Sequence, residues 1–255
     1  MADPAQETFL SHLIELRERL VRSLLAVAIC CIPTMYFSSD LYDLLAAPLI
    51  NSLPPNAHMI ATGVITPFLI PMKIALVAGF LLALPFVLYQ VWAFVAPGLY
   101  AHEKRLVLPL VVTSTVLFVC GMAFCYFIVF GRVFAFIASF APKSISVAPD
   151  IEAYFNFVLG MFVAFGVAFE VPVLVVVLVM TGLVPVEKLR EWRGYVIVAI
   201  FIVAAVVTPP DVVSQISLAI PMCLLYEIGI LCGVMVVRRK RQREAAAGSG
   251  GNASS

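Results

Sequence analysis

The chain alternates between long apolar runs and short polar segments. Apolar runs occupy residues 21–37, 67–91, 106–130, 156–181, 195–208 and 212–237. About 20 apolar residues cross a bilayer as a helix, so the pattern predicts an all-α membrane protein with six transmembrane helices. The fifth run is short at about 1.5 Å per residue, and is expected to thin the bilayer around it. Ahead of the first run, Phe9, Leu10, Leu13, Ile14, Leu16 and Leu20 share one broad helical face, with Ser11, Glu15, Glu18 and Arg19 opposite. Arg17 falls inside the apolar arc, where it either snorkels to a lipid phosphate or pairs with an acid from elsewhere in the fold.

The connections carry their own signals. Residues 38–66 contain an amphipathic stretch over 40–50, broken up by Pro48, Pro54 and Pro55. Residues 131–155 bring Pro142 and Pro149 and then Asp150, an expected N-cap for the fourth span. Thr208-Pro209-Pro210-Asp211 leaves room only for a tight reversal, so the last two spans must be adjacent and antiparallel. Pro33, Pro85, Pro109, Pro172 and Pro221 lie inside spans and predict kinks. Kinked helices with a short neighbour suit a concave bundle. No internal repeat is visible.

Composition agrees with the pattern. The chain of 255 residues is 63% hydrophobic and 12% charged, against about 25% charged in an average soluble domain. The charges are unevenly placed. Of the 16 Lys and Arg, all but Lys73, Arg132 and Lys143 fall on the side that an even number of spans gives to both termini. The positive-inside rule then puts both termini in the cytoplasm. The first run is expected to be retained, since a mixed-charge segment precedes it and no A-x-A site ends it. Residues 1–237 are read as the integral membrane domain. Residues 238–255 are read as a basic stop-transfer cluster followed by a disordered tail at Gly248-Ser249-Gly250-Gly251.

Candidate chemistry is sparse. Cys30, Cys31, Cys120, Cys125, Cys223 and Cys232 lie in apolar runs without CxxC spacing, and read as small buried hydrophobes. His12, His58 and His102 are far apart, with no zincin pattern, nucleophile elbow or phosphate loop. No enzyme, cofactor or metal is therefore expected, and an intramembrane hydrolase has no His within a span to use. What remains is acidic. Glu170 sits mid-span beside Val171 and Pro172, at a cost of several kcal/mol on the lower scales. It is expected to open onto a lipid- and water-accessible groove. Glu227 is a second intramembrane acid, available for structural pairing or partner contact. Glu15 and Glu103 are carboxylates on a basic face, suited to bidentate guanidinium recognition, although Glu15 also has Arg19 at i,i+4.

Four blocks then resemble one family. They are Ser11-His12-Leu13-Ile14-Glu15-Leu16-Arg17; Tyr89-Gln90-Val91-Trp92-Ala93-Phe94-Val95-Ala96-Pro97-Gly98-Leu99-Tyr100 with Glu103; Phe169-Glu170-Val171-Pro172; and Thr208-Pro209-Pro210-Asp211 with Ser214-Gln215 and Ala219-Ile220-Pro221. In order and in register with six spans, they resemble the TatC family of the twin-arginine protein translocase, in its proteobacterial form. The resemblance implies a non-enzymatic receptor in the bacterial inner membrane. Glu15 and Glu103 would receive the twin arginines of folded cargo, with Arg17 and Phe94 shaping that surface. It also implies transport driven by the proton-motive force, self-association, and single-span TatA- and TatB-like partners docking near Asp211 and Gln215. A helix N-cap for Asp211 and an interhelical hydrogen bond for Gln215 remain open beside that role. Pro48 matches a family position in the first outside loop, where it also serves as a helix stop. The alternative is a proton-coupled transporter of a small solute with Glu170 as its proton site, a class that commonly shows paired, interrupted half-helices; none is apparent here.

Overall fold

In hydrocarbon every backbone polar group must find its partner within the chain, so the apolar runs have helix as their only open-ended solution. The computed structural model describes residues 4–51, 59–95, 107–140, 148–207 and 212–251. Helix α1 (Pro4–Tyr36) joins the amphipathic N-terminal segment to the first span without a break, and α2 (Ser38–Ile50) follows it. The second span is α3 (Thr66–Val95). The third consists of α4 (Val107–Phe124), a π-helical turn at Cys125–Val129 and α5 (Phe130–Phe140). The fourth divides at Glu170 into α6 (Ile151–Phe169) and α7 (Val171–Met180). A short α8 (Val186–Glu191) leads to α9 (Arg193–Val207) and α10 (Val212–Gly251). Among the described residues, five stretches are long and apolar enough to cross a membrane, and α9 is a shorter apolar helix.

The helices form an open row. α1 packs mainly on α3, α3 on α4, α4 on α6, α7 on α10 and α10 on α9. α1 and α9 stand at its two ends. The largest core cluster runs from Ala46 and Leu49 of α2 through Ile70, Ile74, Phe130, Phe155 and Phe165 to Leu218 of α10. It lies in the half of the bundle that holds α2 and the start of α6. There Asp150 caps α6, accepting from the Ala153 N–H at 3.3 Å. Asp150 also accepts from the N–H and hydroxyl of Thr62, while the Ile60 N–H donates to Pro149 O and the Ile151 N–H donates to Ile60 O, so the described end of the first connection is tied to the cap. Slight desolvation pushes the Asp150 carboxyl up, but these hydrogen bonds outweigh it and hold it below the usual carboxylate range.

The structure corrects one expectation about the tail. The tail does not leave helix at Gly248, since α10 continues to Gly251. Residues 241–247 are Arg, Gln, Glu and Ala, strong helix formers that extend an existing helix without a new nucleus. On α3, the Lys73 amine donates to Asn156 at 3.1 Å and lies 3.7 Å from Glu152.

Candidate functional site

The sequence motifs at Ser11–Arg17 and Tyr89–Val95 meet at one end of the α1–α3 seam. On α1, the Glu15 Oε1 accepts from Arg19 Nε at 2.9 Å and from Nη2 at 2.5 Å. The same guanidinium reaches across to α3, donating to the buried Gln90 side chain at 3.3 Å. One turn earlier the His12 ring stacks on Phe94 with centroids 4.5 Å apart. The result is a half-exposed carboxylate flanked by an aromatic ring, with the His12 Nδ1 3.9 Å from its second oxygen. Arg17 is exposed and makes no ion pair among the described residues. Glu103 lies outside the described residues, eight positions beyond the α3 end at Val95.

A second polar place lies inside the bundle, where the fourth span breaks. Pro172 cannot donate to the Ala168 carbonyl, and the Glu170 N–H turns instead to Val167 O at 3.0 Å. Glu170 does not open onto a wet groove as expected. Both of its carboxyl oxygens are enclosed and make no hydrogen bond among the described residues. On the facing α4, the Ser114 hydroxyl accepts from Trp92 Nε1 at 2.9 Å. Glycines explain the enclosure. A Cβ on Gly121 of α4 would stand 2.6 Å from Phe165 O, and one on Gly229 of α10 would stand 3.0 Å from the Pro172 Cα. Helices that approach this closely cover the break from both sides. The sequence carried that signal in Gly229-x-x-x-Gly233, which packs on Val175 and Val179 of α7.

The third place is the α9–α10 face. Gln215 donates to Phe201 O at 3.2 Å, so its amide joins the two helices, the interhelical role set beside partner contact. Glu227 accepts from Arg193 Nη2 at 2.6 Å, a structural pair between the same helices. Asp211 lies outside the described residues. Pro48 lies inside α2, which runs on to Ile50, so it does not stop the helix as expected. Among the described residues no group of His, Cys, Asp and Glu is arranged to hold a metal ion.

Comparison with known proteins fits this arrangement. Residues 11–221 match the family model for the Sec-independent protein translocase protein (TatC). The chain is 52% identical over 241 residues to the TatC protein of Azotobacter chroococcum, covering 94% of this chain and 93% of that one. It is 48% identical over 238 residues to the Escherichia coli K12 protein, covering 93% and 92% of the two chains. Among solved structures, a crystal structure of the twin-arginine translocase receptor TatC superimposes with a TM-score of 0.79 at 39% identity, covering 89% of this chain and 99% of that one. The chain belongs to the TatC family of Sec-independent protein translocase proteins.

Proposed function

We propose that this chain is the signal-peptide receptor and core scaffold of a twin-arginine translocase, exporting folded proteins across the bacterial inner membrane with the proton-motive force. The observation that carries the reading is the junction of the Glu15 and Phe94 motifs at one end of the α1–α3 seam. That junction stands directly before the loop that bears Glu103. The distribution of Lys and Arg supports placing this end, with both termini, in the cytoplasm.

Recognition follows from competition for Glu15. Its present partner, Arg19, is a half-buried i,i+4 pair whose guanidinium also donates to Gln90. An incoming arginine makes the same kind of charge-assisted hydrogen bond, about 1.5–3 kcal/mol, and the Glu15 Oε2 takes no bond from Arg19. A twin-arginine segment therefore shares Glu15 with the resident guanidinium, one arginine on Glu15 and the other on Glu103. Arg17 repels misplaced cations, and Phe94 supplies a flat apolar wall. Asp211, Gln215 and Glu227 mark the α9–α10 side as the docking face for TatA- and TatB-like single-span helices, and Pro48 shapes the outer loop. Glu170 acts within the bundle, at the break between α6 and α7. The solute-transporter reading needs a carboxyl open to water, and the enclosure of Glu170 does not favour it.

The test is titration of a twin-arginine peptide onto the full chain in lipid nanodiscs. Glu15→Ala should weaken binding tenfold or more, about 1.4 kcal/mol per decade. Glu18→Ala, whose carboxylate pairs with Arg22 at 3.2 Å in the open, should leave it nearly unchanged. Equal losses from the two variants would overturn the assignment.

A further inference from the structure

A cleft of about 280 Å³ lies between the third span and α10, lined along one wall by Phe124, Ile128 and Arg132 and along the other by Ile216, Ile220 and Leu224. It arises from two local departures from α-helix. The π turn at Cys125–Val129 widens the third span there. Opposite it, Pro221 cannot donate to the Ser217 carbonyl one turn back, and both residues line the cleft. The edge residues Ile220 and Leu224 are 53% and 60% exposed, so the cleft opens sideways, toward the surroundings of the bundle. Arg132 is the one charged residue among its described lining residues; it is exposed and has no ion pair among the described residues.

We propose that this cleft binds one anionic glycerophospholipid, with an acyl chain in the apolar slot and the headgroup phosphate on Arg132. The eight-residue rise from Phe124 to Arg132 corresponds to about 12 Å, close to the roughly 15 Å of hydrocarbon in one leaflet, so the slot runs from an apolar end to a charged rim over the length of a lipid leaflet. An apolar cavity is not held open by water, which requires polar partners, so hydrocarbon is its natural content. A guanidinium at the rim, lacking a carboxylate of its own, gains most from a phosphate, whose oxygens it can bind bidentately. A basic residue where an apolar slot meets its rim is the arrangement a phospholipid complements from end to end.

Native mass spectrometry of the full chain, released from vesicles of phosphatidylglycerol and phosphatidylcholine, tests this. One phosphatidylglycerol should be retained in preference to phosphatidylcholine. Arg132→Gln should lower that retention about tenfold, as expected for losing a charge-assisted bond, and Arg132→Lys should restore part of it. Phosphatidylglycerol with a photoactivatable acyl chain should label residues 124–128 and 216–224, and Ile216→Trp, at the edge of the slot, should suppress that labelling while helix content is unchanged. Equal retention by Arg132→Gln and the parent chain would overturn the proposal. So would labelling spread evenly over the bundle, or a single-span helix, rather than lipid, captured by photo-crosslinkers at Ile128 and Ile220.

Discussion

Pro48 has no backbone N–H, so the Leu44 carbonyl one turn back lacks its helical donor. The Tyr126 hydroxyl supplies the missing bond at 2.8 Å, and the neighbouring Leu45 carbonyl accepts from Tyr154 at 2.7 Å. Two tyrosines on the third and fourth spans thus hold α2 against the bundle through its backbone. Tyr126 itself stands in the π turn. A net hydrogen bond is worth about 1 kcal/mol, so Tyr126→Phe should lower unfolding stability by about that amount in mixed micelles. Pro48→Ala restores an N–H at the right place, and in that background the same tyrosine change should cost far less. A double-mutant cycle with no coupling would show that the two residues act separately. This pairing was not legible from sequence, because its partners are 82 positions apart. Local relations were legible: Asp150 as the cap of α6 needed only its three following residues, and the Glu15–Arg19 pair only one helical turn.

At the scale of elements, glycine decides which helices touch. A Cβ on Gly79 of α3 would meet Cys31 Sγ at 2.5 Å and the Cys31 Cα at 2.9 Å, a backbone contact that cannot rotate away. The close approach lets Thr34 Oγ1 of α1 donate to Ala75 O at 2.8 Å. α1 buries little elsewhere, since its most apolar window is wholly outside the buried set. Gly79→Val should therefore push α1 off α3, remove the Thr34 bond and separate Arg19 from Gln90. The expected readout is a loss of twin-arginine peptide binding comparable to that of Glu15→Ala, although the substitution lies well away from the peptide. Unchanged binding would mean that α1 is held by something other than this seam. Span positions were legible because hydrocarbon length and backbone satisfaction leave few choices. The break at Glu170 followed from Pro172, whereas the π turn has no proline or glycine within Cys125–Val129 to announce it. The enclosure of Glu170 was missed because it depends on Gly121 and Gly229, which lie on two different helices and reveal their partners only in the fold.

At the scale of the whole molecule, the row ends in its shortest member. α9 has 15 residues, a rise of about 22 Å, while the hydrocarbon core is about 30 Å thick. The bilayer must thin beside α9 or another element must cover it. α9 leaves much of its surface open, with Tyr195 79% and Val206 81% exposed, and its main neighbour is α10. The opposite end of the row, α1, carries the proposed peptide site, so a second chain docking at the α9 end would not compete with cargo. A long single-span helix beside α9 would relieve the mismatch by presenting a full-length apolar surface to the lipid. Photo-crosslinkers at Val198, Ile202 and Val206 should therefore capture TatA- or TatB-like helices. Crosslinkers at Val112, Val116 and Val119, exposed on α4, should capture mainly lipid. Lengthening α9 by one turn, about 5.4 Å, should reduce partner capture at these positions while leaving peptide binding at Glu15 intact. If capture is even across α4 and α9, or is unchanged in the lengthened helix, hydrophobic mismatch at α9 does not select the partner.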